Sequence, residues 1–176
     1  MKALVFGGTA SGKSEFAETL ALAGEERAAF YLATMEPFGR EGEKRIARHR
    51  LLRRGKGFAT VEQYTGLKYL AVEPGSAVLL EDLGNLCANE LFSPSGCGFS
   101  RAFEEITQGL ALLGAQAGRL VVVSNDVFSG CEQYEGEMAG YLSLMGDLHR
   151  WIAERADKVV EVVCGIPLYH KGGQVC

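Results

Sequence analysis

Eight consecutive residues near the start of the chain fit a pattern whose chemistry is phosphate binding. The run Gly7-Gly8-Thr9-Ala10-Ser11-Gly12-Lys13-Ser14 matches G-x-x-x-x-G-K-[ST] and follows an apolar stretch, residues 3–6. Its glycines let backbone N–H groups turn inward around a triphosphate, Lys13 brings a positive charge to the outer phosphates, and Ser14 offers a hydroxyl to Mg²⁺. The alternative is a flexible glycine-rich turn without a ligand. We therefore predict a nucleotide-binding loop.

Two carboxylates follow the most apolar strand pattern in the chain. Residues 77–80 read AVLL, and Glu81 and Asp82 come directly after them. A carboxylate at the end of a buried strand is what a P-loop protein uses to hold Mg²⁺ opposite the loop serine. A polar residue that merely ends the strand is the alternative. The sequence predicts a metal site made by Ser14 with Glu81 or Asp82, and the spacing leaves open which of the two carboxylates serves.

A basic segment, residues 41–54, reads EGEKRIARHRLLRR and is helix-prone. Arg45, His49 and Arg53 recur at positions i, i+4 and i+8, so they share one helix face. The arginines on either side of His49 would favour a neutral imidazole and attract a polyphosphate. A solvated basic helix face is the alternative, and the residues alone leave both interpretations open.

The elements that would position these residues alternate between strand and helix. This order predicts an α/β protein of the P-loop NTPase type: three layers, a mainly parallel sheet with helices on both faces, and ligand loops at the carboxyl ends of the strands. Thr34, at the end of the second strand, is therefore a candidate site residue. Phe103, Ile106, Leu110 and Leu113 fall at helical spacing and are predicted to be core. The predicted strands are 3–6, 29–33, 56–61, 77–80, 119–124, 158–163 and 165–169, and the helices are 13–23, 41–54, 86–92, one around 103–113, and 135–155.

Composition bounds the function. A length of 176 residues suggests a single domain, residues 1–176, and the net charge of −4 argues against nucleic acid as the main partner. No stretch has the length of a signal peptide or a membrane span, which predicts a cytoplasmic protein. The five cysteines include no C-x-x-C pair, so we expect reduced thiols rather than a zinc site or disulfides.

Seven short motifs follow one another in a single order: GGTASGKS, YLAT, RIARHR, TVE, VLLEDLGNL, VVVSNDV and VCGIP. With them the chain resembles the adenosylcobinamide kinase and adenosylcobinamide-phosphate guanylyltransferase family of cobalamin biosynthesis, over nearly its whole length. The most specific part is the P-loop combined with R-I-x-x-H in the next crossover and the Glu-Asp strand end.

The resemblance implies two reactions on a corrinoid. Members of the family phosphorylate the aminopropanol hydroxyl of adenosylcobinamide, and then transfer GMP from GTP to that phosphate through a guanylylated histidine, here His49. It also implies a homotrimer with sites between subunits, and it leaves open whether ATP as well as GTP donates the phosphate. The nucleotide contacts that it implies are the loop from Gly7 to Ser14, Thr34, Arg50, Arg53, Glu62 and Glu81.

Two other functions stay open on the sequence. A P-loop kinase for another small metabolite would use the same loop and carboxylate but leave His49 idle. A nucleotide-dependent binding module would bind without turnover. The run Ser124-Asn125-Asp126 lacks the lysine of a guanine-reading N-K-x-D motif, which counts against the commonest form of such a switch.

Overall fold

The computed structural model describes residues 1–37, 39, 42, 46–48, 50, 51, 55–128 and 134–173. In this part of the chain seven strands form one sheet in the order β3-β2-β4-β5-β1-β6-β7. All neighbouring pairs are parallel except β6 and β7, which are antiparallel. The strands are β1 Lys2–Gly7, β2 Ala29–Ala33, β3 Ala59–Glu62, β4 Ala77–Glu81, β5 Arg119–Asn125, β6 Lys158–Val163 and β7 Ile166–Lys171.

Four helices with complete bounds lie among the described residues, and we number them in chain order. They are α1 Lys13–Leu22, α2 Leu83–Phe92, α3 Ala102–Gln116 and α4 Gly136–Arg155. A single 3₁₀ turn spans Leu67–Tyr69. Within the basic segment, residues 42, 46–48, 50 and 51 are helical. None of the helices described is long and apolar enough to cross a membrane.

Alternation along the strands builds two separate hydrophobic cores, one on each face of the sheet. Successive strand side chains point to opposite faces, so Val121 packs on one face and Val122 on the other. Ala17 and Ala21 of α1 belong to the first core, whereas helices α2, α3 and α4 supply the second. These three layers confirm the predicted α/β architecture.

Most of the predicted elements are confirmed, with small shifts at their ends. Helix α2 begins at Leu83, earlier than predicted, because Asp82 caps it. The prediction that Phe103 is core is wrong. Its side chain is 39% exposed because it sits in the first turn of α3, beside the outer surface of α4, whereas Ile106, Leu110 and Leu113 are buried.

Three of the five cysteines lie among the described residues. Cys87, Cys97 and Cys164 are free thiols. Burial raises the pKa of Cys87 to about 12, which makes that thiol a poor nucleophile. Cys131 and Cys176 lie outside the described residues.

Candidate functional site

The loop between β1 and α1 is held by backbone hydrogen bonds from three directions. Ser11 N donates to Gly8 O at 3.3 Å within the loop, Asp126 N donates to Gly7 O at 3.0 Å, and Gly165 N donates to Ser11 O at 2.8 Å. The last two bonds come from the ends of β5 and β6, the strands that flank β1. The sheet edge therefore fixes the loop before any ligand arrives.

Two of the loop glycines are required by the local geometry. Gly12 has φ +90°, a left-handed conformation that side chains rarely adopt, and a Cβ there would lie 3.3 Å from Gly165 Cα. A Cβ on Gly7 would lie 2.4 Å from the carbonyl oxygen of Val162. The pattern therefore reflects close backbone packing as well as turn formation.

Lys13 and Ser14 form the first turn of α1. Lys13 is only 8% exposed, and its Nζ donates to Gly8 O at 3.0 Å, which holds the ammonium over the loop. The free N–H groups of a helix N-terminus attract anions, so loop, helix end and lysine together form a phosphate cradle.

Glu81 ends β4 directly beside this cradle. Ser14 Oγ donates to Glu81 Oε1 at 2.5 Å. Burial raises the pKa of the Glu81 carboxyl to about 7; the bond from Ser14 and the charge of Lys13 oppose that rise, whereas the charges of Asp82 and Glu18 add to it. Glu81 Oε2 is buried and finds no hydrogen-bond partner among the described residues. A buried carboxylate oxygen without a partner, next to a serine hydroxyl, fits a Mg²⁺ ion and its water shell.

Asp82 makes different contacts from Glu81, although the sequence alone did not distinguish the two carboxylates. Its Oδ1 accepts from Asn85 N at 2.7 Å, the N-cap bond of α2, and its Oδ2 accepts from the side chains of Asn85 at 3.0 Å and Asn125 at 3.3 Å. Burial raises its pKa, and the hydrogen bonds from Asn85 and Asn125 oppose that rise. The geometry therefore favours Glu81 as the metal ligand and Asp82 as a helix cap.

Thr34 is fully buried at the end of β2. Its hydroxyl donates to Asp82 O at 2.8 Å and accepts from Asp82 N at 2.7 Å, and Asn89 Nδ2 donates to Thr34 O at 2.7 Å. This residue braces the turn that carries both carboxylates. Its predicted contact with nucleotide stays a prediction.

Glu62, the last residue of β3, joins two side chains. It forms an ion pair with Arg50 and accepts from the Tyr64 hydroxyl at 2.8 Å. The hydrogen bond that Arg50 donates to Glu62 raises the pKa of Arg50. Burial, followed by the hydrogen bond that Tyr64 donates to Glu62, raises the pKa of Tyr64. The structure thus brings together Arg50 and Glu62, two of the predicted nucleotide contacts.

One cleft connects Glu62 with the carboxylates at the end of β4. Sequence reasoning did not identify Ile46, Met35 or Asn85 as part of it; the Asp-x-x-Asn spacing of a helix cap could have indicated Asn85. His49 and Arg53, both predicted site residues, lie outside the described residues. The lining residues are Tyr31, Ala33, Met35, Ile46, Glu62, Glu81, Asp82 and Asn85.

Comparison with known proteins gives consistent results. The model of the cobinamide kinase / cobinamide phosphate guanyltransferase family matches residues 3–169. The chain is 33% identical to the bifunctional adenosylcobalamin biosynthesis protein CobP of Pseudomonas aeruginosa, with 98% of each chain covered. It is 30% identical to the bifunctional adenosylcobalamin biosynthesis protein CobU of Escherichia coli K12, covering 94% of this chain and 97% of that protein.

Solved structures show weaker similarity. The flagellar accessory protein FlaH from Methanocaldococcus jannaschii is 14% identical, with a TM-score of 0.46 over 97% of this chain and 77% of that one. The RadB recombinase is 16% identical, with a TM-score of 0.44 over 91% of this chain and 73% of that one.

The sequence relatives and the phosphate cradle point to the same family. A family model that spans nearly the whole chain, and two relatives that match it from end to end, agree with a P-loop whose serine contacts a strand-end carboxylate. The chain belongs to the cobinamide kinase / cobinamide phosphate guanyltransferase family and is a nucleotide-dependent enzyme of that family.

Proposed function

We propose that this enzyme phosphorylates adenosylcobinamide and then transfers GMP from GTP to the new phosphate, with His49 as the carrier of the guanylyl group. The observation that supports the proposal is one shared cleft. Glu81, which contacts Ser14 of the loop, lines this cleft together with Ile46, which lies three residues before His49 in the chain. Ile46, in the segment that contains the proposed carrier, thus lines a cleft with the carboxylate that contacts Ser14 of the phosphate cradle.

In the kinase step the loop would hold the β- and γ-phosphates of the nucleotide. The loop N–H groups and Lys13 stabilise the charge on the phosphate oxygens while the substrate hydroxyl attacks the γ-phosphorus. The bond from the γ-phosphorus to the β,γ-bridging oxygen breaks, the nucleoside diphosphate leaves, and the hydroxyl proton passes to a base or to water. Both GTP and ATP remain proposed donors.

Ser14 and Glu81 would hold Mg²⁺ on the nucleotide. When bound, the ion neutralises charge on the phosphates and on the leaving group. The protein's contribution is to fix the two oxygens beside the cradle, where the Ser14 hydroxyl and the Glu81 carboxylate already touch.

In the guanylyl step a neutral imidazole nitrogen of His49 would attack the α-phosphorus of GTP. A phosphorus–nitrogen bond forms, the bond to the β-phosphate oxygen breaks, and pyrophosphate leaves with the electron pair. A phosphate oxygen of cobinamide phosphate then attacks, and the phosphorus–nitrogen bond breaks to restore the histidine. Arg50 and Arg53 would stabilise charge on the α-phosphate oxygens, while the loop holds the departing pyrophosphate.

Labelling with α-³²P GTP and Mg²⁺ tests this proposal. Wild-type enzyme should take up an acid-labile, alkali-stable label, and adding adenosylcobinamide phosphate should chase that label into adenosylcobinamide-GDP. His49→Asn should take up none, whereas His149→Asn, a control on α4, should label as wild type does. Unlabelled wild type, or a labelled His49→Asn, would show that His49 is not the carrier. The homotrimer stays a prediction, which light scattering of the purified enzyme would check.

A further inference from the structure

Helix α1 carries a buried carboxylate that the proposed reactions do not use. Glu18 lies one helical turn after Ser14 on the same side of α1, and its side chain is 11% exposed. Lys56 Nζ donates to Glu18 Oε2. The Lys56 side chain is 40% exposed, so the glutamate is the more buried partner of the pair. A carboxylate at this depth needs its partner, because an unpaired buried charge is strongly destabilising.

A tight turn presents Lys56 to that carboxylate. Gly55 and Gly57, on either side of it, have φ +78° and +85°, both left-handed. A Cβ at either glycine would meet nothing within 4 Å, so conformation rather than space explains the glycines. Directly after the turn, Phe58 packs edge-on against Tyr31 at 5.9 Å between ring centroids. The contact of Lys56 with Glu18 and that of Phe58 with Tyr31 therefore both hold the turn.

Lys56 lies two residues beyond the basic segment, and a residue within that segment makes an ion pair of its own. Arg50, within the segment, binds Glu62 at the end of β3, whereas Lys56 binds the helix that begins with Lys13 and Ser14. The first pair joins Arg50 of the segment to the end of β3, and the second joins the turn after the segment to α1, the helix that follows the phosphate loop. Residue 49 is adjacent to Arg50 and seven residues before Lys56 in the chain.

We propose that the Glu18–Lys56 ion pair is a positioning contact for guanylyl transfer, which sets where the basic segment lies relative to the phosphate loop. The inference rests on the proposed function, because it assumes that His49 attacks the nucleotide held by that loop. Neither Glu18 nor Lys56 lines the cleft that contains Glu81 and Ile46. Misplacing a reacting group by about 1 Å costs up to about 100-fold in rate, so losing the pair should slow the guanylyl step, whereas the loop would still hold the β- and γ-phosphates.

A second shielded ion pair provides the matched control. Lys68 donates to Glu105, with side chains 19% and 12% exposed, and this pair joins the 3₁₀ turn to α3. Leu67 and Ile106 beside it belong to the core on the face opposite α1. Lys68→Met thus removes a shielded lysine–glutamate pair without touching the loop or the basic segment, and Glu105 keeps Arg101 as a second partner.

The test compares wild type with Lys56→Met, Lys56→Arg and Lys68→Met. Three quantities are measured for each protein: the single-turnover rate of enzyme labelling by α-³²P GTP, the GTP dissociation constant by calorimetry, and the rate of γ-phosphate transfer to adenosylcobinamide. Lys56→Met should label between about 10-fold and 100-fold more slowly, while GTP affinity and γ-phosphate transfer stay within about twofold of wild type. Lys56→Arg and Lys68→Met should behave as wild type.

A double-mutant cycle keeps the inference falsifiable if one variant is unstable. Glu18→Gln should slow labelling as Lys56→Met does, and the double variant should be no slower than either single one. Equal labelling rates in Lys56→Met and wild type, or a parallel loss of all three quantities, would overturn the inference. If wild type takes up no label, both the proposed carrier and the inference are overturned. If wild type is labelled and Lys56→Met is labelled at the same rate, only the inference is overturned.

Discussion

The phosphate-binding loop and the basic segment are held by different kinds of contact. Backbone N–H and carbonyl groups from β5 and from the β6–β7 turn fix the loop, and two of its glycines are required by close backbone approach. The basic segment and the turn after it are held by long side chains, Arg50 to Glu62 and Lys56 to Glu18. The loop is therefore a rigid receptor for phosphate, whereas Arg50 of the segment and Lys56 of the turn after it make ion pairs that single substitutions can remove.

This difference divides the two proposed reactions. We propose that both need the loop, and that only guanylyl transfer needs the basic segment. Substitutions in the loop should abolish both activities, and substitutions in the ion pairs should separate one activity from the other.

The largest effect should follow loss of the loop lysine. Lys13→Met removes the buried ammonium that lies over the loop while keeping an apolar side chain of similar length. We expect both γ-phosphate transfer and enzyme labelling to fall by about 1,000-fold, because removing one preorganised charge or donor at a phosphate commonly costs 100-fold to 1,000-fold. Steady-state and labelling assays check this. Retention of either activity near the wild-type rate would contradict the shared role of the loop.

A pH effect on stability should follow from Glu81. Burial raises its pKa from an ordinary 4.5 to about 7 in the folded protein, so the folded state binds the proton more tightly than the unfolded chain does. The free energy of unfolding should therefore fall as pH rises from about 4.5 to about 7, by up to about 3 kcal/mol in EDTA. Glu81→Gln should remove this part of the slope in urea unfolding. Identical slopes for wild type and Glu81→Gln would contradict it.

A smaller loss of stability should follow from Thr34. Thr34→Val keeps the shape but leaves Asp82 N and Asp82 O without the hydroxyl that bonds both. We expect the free energy of unfolding to fall by about 1–3 kcal/mol. The control is Thr107→Val on α3, where the hydroxyl only adds a bond to helix carbonyls, including Phe103 O at 2.7 Å. If both variants lose the same free energy, the brace at Asp82 has no special role.

The smallest effect should follow loss of the exposed ion pair between Arg50 and Glu62. Arg50→Met breaks the ion pair with Glu62 and should slow enzyme labelling about tenfold, because it removes one contact of the basic segment and the cation that we propose acts on the α-phosphate. γ-Phosphate transfer should stay unchanged. Arg150→Met, at a more exposed pair with Asp147 on α4, should alter neither. A matching decrease in both activities would show that Arg50 does not distinguish the two steps.

Most of the fold and the loop could be predicted from the sequence. Period-two alternation and the loop pattern are local signals, so the bounds of β2 and the start of α1 agree with prediction. Phe103 was predicted wrongly because helical spacing tells which face a residue shares but not how far a neighbouring helix covers it.

The roles of Glu81 and Asp82 could not be separated from the sequence, because adjacent carboxylates differ only in what surrounds them. Asp82 accepts the cap bond of α2, whereas Glu81 faces Ser14. The Glu18–Lys56 pair was equally hidden, since it joins residues 38 positions apart whose types are common on any surface. Such contacts are set by tertiary packing, which local patterns do not contain.

Tandem mass spectrometry of the guanylylated enzyme is the most direct measurement. Wild-type enzyme would be treated with GTP and Mg²⁺, digested under alkaline conditions that preserve a phosphorus–nitrogen bond, and mapped for the residue that carries GMP. We predict one modified residue, His49. GMP on any other residue, or no covalent GMP while adenosylcobinamide-GDP is still formed, would contradict transfer through His49.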